Sequence, residues 1–159
     1  MMNEEKMTAA YATLDTLCEM LEDIGLQYEK NEDDLSAICM FNDEEGSQVH
    51  HISVDAKRQR VSLYGMFCFG TVDAVMRDDV VTAISAINYQ LANGNFVYNF
   101  DAERVYFRMT MSYRNSRLST DAMQYLLLSA IGIIRRYAYD LRMLIKGKTT
   151  LEEFLENTD

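Results

Sequence analysis

A change of hydrophobic period along the chain restricts its fold more than any other feature. Apolar residues recur every three or four positions near the start, every second position between Leu26 and Cys68, and every three or four again in two later stretches. Helices need the first spacing and half-buried strands the second, because side chains wind around a helix but alternate sides along a strand. The chain must therefore combine helices with a sheet. There is no proline among 159 residues and there are only 7 glycines, so no stiff linker or long Gly-rich hinge divides it. One domain spanning residues 1–159 is expected, of a size typical of single domains.

Read in order, the first helix carries Met7, Tyr11, Leu14, Leu17, Cys18, Leu21 and Ile24 on one face and ends at Gly25, with Asp15, Glu19, Glu22 and Asp23 toward solvent. A meander follows. Its first run alternates Leu35, Ala37, Cys39 and Phe41 with Ser36, Ile38, Met40 and Asn42, and turns at Asp43-Glu44-Glu45-Gly46. Two further runs span Gln48 to Val54 and Val61 to Phe67; in the latter Val61, Leu63 and Phe67 oppose Ser62, Tyr64 and Met66. A second helix, expected to be central, runs from Val72 through Val75, Met76, Val80, Ala83, Ile84 and Ile87 to Leu91, closing at Asn93-Gly94. A hairpin pairs Phe96–Phe100 with Arg104–Ser112 across Asp101-Ala102-Glu103. A long helix starts at Ser119-Thr120-Asp121, and Thr150-Leu151-Glu152-Glu153 is a capping box that begins a short helix over about 150–157. The order is helix, three or four strands, helix, two strands, helix, short helix. Because the strands are joined mainly by hairpins, the expected architecture is α+β, an antiparallel sheet with helices on one face.

Charge excludes one class of function. Asp and Glu number 25 against 15 Lys and Arg, a net charge of −10 that repels phosphate backbones, so no nucleic-acid partner is expected. Most of the excess lies in residues 1–60, which reads as a solvated face, with a docking site for basic partners as the alternative. The most apolar run, Ala122 to Ile134, is too short to span a bilayer, so no membrane partner is expected. Cys18, Cys39 and Cys68 are odd in number, and the start of the chain is polar and acidic; a reducing cytoplasm without a signal peptide is the expectation. The three cysteines read as core packing.

Catalytic patterns are missing. His50 and His51 are adjacent on a strand, point to opposite faces and cannot share a metal ion. No phosphate loop, Cys-x-x-Cys or His-Glu-x-x-His occurs, and the clusters Asp33-Asp34, Asp43-Glu44-Glu45 and Asp78-Asp79 lack the alternation of a calcium loop. No catalytic residue, cofactor or metal is expected. The remaining oddity is 11 Met and 10 Tyr without a Trp, which suits either core gaps or an adaptable binding face. On the hairpin, Val105, Phe107, Met109 and Met111 form the more apolar row, expected to face the helices. Tyr106, Arg108, Thr110 and Ser112 then face outward, beside Tyr64 and Met66. Tyr64, Met66, Tyr106 and Arg108 are the candidate partner-binding residues, against the alternative of a merely amphipathic sheet surface.

Ile87-Asn88, then Asn93-Gly94-Asn95-Phe96 to Asp101, Arg104-Val105-Tyr106-Phe107-Arg108 and Leu118-Ser119 together resemble the YbjN family of bacterial proteins. Gly147 followed by Leu151-Glu152-Glu153-Phe154 resembles that family's ending, while Gln90-Leu91 departs where members often carry a second asparagine or a tryptophan. The resemblance covers residues 70–159 by motif and 7–68 by element order. It implies a type III secretion chaperone-like fold, with helices against one face of a curved antiparallel sheet. Relatives of that fold are small, acidic, cytoplasmic homodimers that hold extended segments of other proteins, without catalytic residues. Asn88, Gly94 and Phe96 are the motif residues expected to be structural, with the Asn88 amide fixing entry to the hairpin. The leading reading is a non-enzymatic, dimeric protein-binding or regulatory module whose partner is a protein or peptide segment. The alternative is a small-ligand sensory domain with its pocket between sheet and helices, and an unrecognised hydrolase ranks last.

Overall fold

The computed structural model describes residues 3–66 and 69–158. Helix α1 (Glu4–Asp23) leads into β1 (Tyr28–Asn31), β2 (Ser36–Asp43), β3 (Gly46–Asp55) and β4 (Arg60–Met66). A 3-10 turn, Ala74–Met76, precedes α2 (Arg77–Gln90), and then come β5 (Asn95–Asn99), β6 (Arg104–Ser112), α3 (Thr120–Ile145) and α4 (Leu151–Thr158). Among the described residues the six strands form one antiparallel sheet in the order β1-β2-β3-β4-β6-β5. The architecture is α+β, with the helices gathered on one face.

Register explains which face they cover. Cross-strand partners share a face, and one row runs Ala37–Ile52–Leu63–Met109 while the next runs Cys39–His50–Gly65–Phe107–Phe96. Every residue in both rows is buried. Helix α1 packs over β2 and β3, α3 over β4 and β6, and α2 over β5, α3 and α4. Helix α3 has the widest apolar stripe, burying Met123, Leu126, Leu127, Ala130, Ile134, Tyr137, Leu141 and Leu144. It takes the central place that the sequence pattern assigned to the second helix. At Gly65 the layers approach so closely that a Cβ would lie 2.5 Å from the Ile134 Cδ1.

Local chemistry sets the ends of the elements. Asn3 caps α1 through its side chain, Ser119 caps α3 by accepting from the Ala122 N–H, and the Thr150 and Glu153 side chains cap reciprocally at the start of α4. Three expectations need correction. Val72 and Val75 do not belong to the second helix: Thr71 bridges to Arg104 and the Val72 N–H donates to the Glu103 carbonyl, so the chain is tied to the hairpin turn until after Asp73. Val72 is consequently buried by the hairpin and Val75 is 84% exposed. Tyr11 is half-exposed, since the buried stripe of α1 follows Ala10, Leu14, Leu17 and Leu21 instead. Third, Leu35, read as the first inward residue of a strand, adopts a positive φ before β2 begins at Ser36, while the short polar strand Tyr28–Asn31 makes four of the three or four strands expected ahead of the second helix. Phe67 and Cys68, read as an inward strand residue and a packing cysteine, lie outside the described residues.

Candidate partner-binding face

The face of the sheet opposite the helices is built by the alternate residues of the same strands. Across it runs Ile38–His51–Tyr64–Arg108–Asn95, and next to that Met40–Val49–Met66. Ile38 and Met40 are 41% and 51% exposed, while Val49, Tyr64, Met66, Tyr106 and Val97 are half-buried by their neighbours within the sheet. Tyr64 lies directly across from Arg108, and Tyr106 pairs with Val97. The four residues singled out in the sequence thus occupy one continuous outer surface. Tyr64, Met66, Tyr106 and Arg108, with Ile38, Met40, Val49 and Val97 beside them, mix aromatic, sulfur-containing and aliphatic side chains with an arginine, the mixture that dominates contact surfaces.

The hairpin that carries Tyr106 and Arg108 is fixed from behind. The Asn88 Nδ2 donates to the Phe96 carbonyl at 2.9 Å, and the Phe96 N–H donates to the Asn88 Oδ1 at 2.7 Å. Gly94 enters the hairpin at φ +73°, where a side chain is strained. Phe96 packs edge-on against Phe69, Phe107 and Tyr137.

Burial and local hydrogen bonds shift several titratable groups around the sheet. His50 is fully buried, its Nε2 lies 3.0 Å from the Gln48 Oε1, its Nδ1 has no partner, and burial lowers its pKa to about 4. It is neutral at pH 7, with Nε2 as the donor. His51 is half-buried on the opposite face, so the two imidazoles are separated by the sheet. Burial raises the Cys39 thiol to about 11, which keeps it protonated and unreactive. Asp55 is held below the usual carboxylate range, first by the Arg58 backbone N–H and then by the Arg58 guanidinium. Among the described residues no cluster of three or more His, Cys, Asp or Glu is arranged to hold a metal ion, and no helix is long and apolar enough to cross a membrane.

One feature of this region escaped the sequence pattern. A cleft of about 500 Å³ lies beside β6, bordered by Arg60, Tyr64 and Arg108 on the outer side and by Tyr125 of α3 on the inner. Its only sequence signal is the unequal length of the two hairpin strands.

No protein-family model matches the sequence, and no curated protein matches it. Solved structures do match by shape. A chain of the ExsC–ExsE complex superposes with a TM-score of 0.59 at 13% identity, over 82% of this chain and 93% of that one. YbjN from E. coli, a candidate transcription regulator, gives 0.59 at 14% identity, over 91% and 93%. A chain of the HopA1–SchA chaperone–effector complex gives 0.56 at 12% identity, over 82% and 94%. The protein therefore has the YbjN-like, secretion-chaperone-like fold that its helix, hairpin and helix-start residues resemble.

Proposed function

We propose that the protein is a non-enzymatic, cytoplasmic protein-binding module that holds an extended segment of another polypeptide on the outer face of its sheet. The observation that supports this most is the face itself. Ile38, Met40, Tyr64, Met66, Tyr106 and Arg108 share a surface that no helix among the described residues covers, and apolar strand residues left open in this way are characteristic of contact sites. The shape shared with a chaperone–effector complex points the same way. Dimerisation is part of the reading: Val75, Tyr89 and Phe100, each more than half exposed, lie on and around α2 and the hairpin at the β5 end of the sheet.

Tagged protein expressed in its native cells, purified and analysed by mass spectrometry, tests the reading. A stoichiometric polypeptide should co-purify, and changing Tyr106 and Arg108 together to Ala should release it while leaving the melting midpoint near that of the parent, since outward residues contribute little to stability. A co-purifying small molecule in place of a polypeptide would favour a sensory domain instead. Undiminished capture by the double variant would move the contact surface elsewhere. Light scattering at micromolar concentration should give twice the chain mass, and a monomer mass would remove the dimer from the reading.

A further inference from the structure

Strand β6 outruns its neighbour. Its pairing with β5 stops at Arg108, whereas its pairing with β4 continues to Ser112. The Tyr113 N–H donates to the Gln59 carbonyl on the β4 side at 2.9 Å. Backbone groups alternate sides along a strand, so Thr110 and Ser112 turn their N–H and C=O the other way, toward the flank that β5 has left. The chain departs at Gly94, where a Cβ would lie 2.4 Å from the Phe107 Cζ and 3.1 Å from the Arg108 carbonyl oxygen. A short open edge remains between Met109 and Ser112, and the 500 Å³ cleft runs along it. Open edges are templates for an added strand.

Charge decides what kind of strand. In a chain with 25 acidic residues and 15 basic ones, this cleft contains two arginines and no acid. The Arg108 side chain is exposed, and its guanidinium makes no hydrogen bond or ion pair among the described residues. Arg60, across from Ser112, reaches only as far as Asp55 at 3.9 Å, and its Nε is buried without a hydrogen-bond partner. Two guanidinium groups so placed suit carboxylates, which they bind through charge-assisted hydrogen bonds. Beneath the edge, Met109, Met111 and Tyr125 offer an apolar floor.

We propose that this flank binds an extended acidic segment of a partner polypeptide, which adds to β6 as a strand against Thr110 and Ser112 and places its carboxylates on Arg60 and Arg108. Strand alternation then gives the segment a pattern: acidic side chains on the outer side, apolar ones over Met109, Met111 and Tyr125. The proposal rests on the protein-binding reading above and narrows it to one edge and one chemistry.

The probe is a fluorescein-labelled hexapeptide of alternating Val and Glu, titrated by anisotropy and followed by the amide resonances of the labelled full-length protein. Saturable binding is expected, weakened at least tenfold by Arg108→Gln, weakened by added salt, and lost when Lys replaces Glu. N-methylation of every second peptide residue should abolish binding in one of the two phases, and the largest amide shifts should fall on Thr110 and Ser112. Equal binding of the Lys peptide, full retention in Arg108→Gln, indifference to N-methylation in both phases, or shifts centred on Ile38 and Met40 would each overturn the proposal. So would a protein that dimerises through this edge, recognised by a fall in mass on Arg108→Gln. If the acidic peptide fails to bind while capture of a native polypeptide persists, the edge assignment falls and the protein-binding reading stands. If capture also fails, both fall.

Discussion

Asn88 serves Phe96 as a neighbouring strand would. Arg108 pairs with Asn95 on the β6 side, so alternation turns the Phe96 N–H and C=O toward the outer edge of β5. There the single Asn88 amide satisfies both, at 2.7 and 2.9 Å. The last turn of α2 is thereby joined to the first residues of the hairpin, and part of an exposed sheet edge is blunted.

Asn88→Ala should destabilise the fold by about 1–2 kcal/mol, because it leaves two backbone groups without partners beside a buried phenylalanine. Asn88→Asp retains the acceptor for the Phe96 N–H but not the donor, and should fall between parent and Ala. Urea denaturation with fixed slope reads both. A midpoint unchanged in Asn88→Ala would show that water replaces the amide at no cost.

Gly65→Ala should be destabilising although Gly65 has an ordinary strand conformation, because the new methyl meets the Ile134 Cδ1 at 2.5 Å. Overpacking of this kind costs about 1–3 kcal/mol. Ile134→Val removes the offending methyl, so the double variant should be more stable than the sum of the single changes predicts. Strict additivity in the cycle would place the strain elsewhere.

His50 makes stability depend on pH. Its folded pKa, about 4, lies below the ordinary imidazole value near 6.5. Between those values the unfolded chain binds the proton and the folded chain refuses it, so stability is full above pH 6.5 and falls as pH drops toward 4. From pH 7.5 to 5 the loss should be about 2 kcal/mol. His50→Leu should flatten this window and leave the steeper decline below pH 4, where Asp55 and Glu153, both held below their usual range, take up protons. A parent whose urea midpoint is level from pH 7.5 to 5 would exclude the mechanism.

At the other end of the molecule, Thr150→Ala should cost about 1 kcal/mol by removing one half of the reciprocal cap. The loss should be local. Helix α4 is attached through buried Phe154 and through the Gln90 Nε2, which donates to the Thr158 carbonyl at 2.9 Å. Amide exchange should quicken across α4 and remain unchanged in the sheet, and a uniform acceleration would mean that α4 does not open independently.

What could be read from the residues depended on how local its cause was. The Ser119 start of α3 and the Thr150–Glu153 box are short-range chemistry and stand where their residue types put them. The two faces of β6 were likewise legible, because an alternating strand has only two ways to lie. Strand β1 was not, since Tyr-Glu-Lys-Asn has no apolar alternation and is held by pairing with β2 and by Tyr28 and Lys30 reaching Glu22 and Asp15 of α1. The late start of α2 depends on a bond between Val72 and Glu103, and the significance of Gly65 on a side chain about seventy positions away. Arg60 entered the cleft only through pairing with Ser112, a contact between segments separated by α2 and β5.

Strand order also governs how the chain assembles. Strands β1 to β4 are joined to their neighbours by tight turns, but β6 enters the sheet between β4 and β5, so the β4–β6 seam connects segments that are far apart in sequence. Closing a loop of roughly forty residues in place of a turn of about four costs about 2 kcal/mol more in chain entropy. The meander and the β5–β6 hairpin should each form quickly, and the docking of one onto the other should limit the folding rate. Truncating Leu63 or Met109, partners across that seam, should therefore slow folding, whereas truncating Ala37 or Cys39 should chiefly hasten unfolding. Until the seam closes, both flanking strands expose their edges, and this is the interval in which the chain is most prone to pair with other copies of itself.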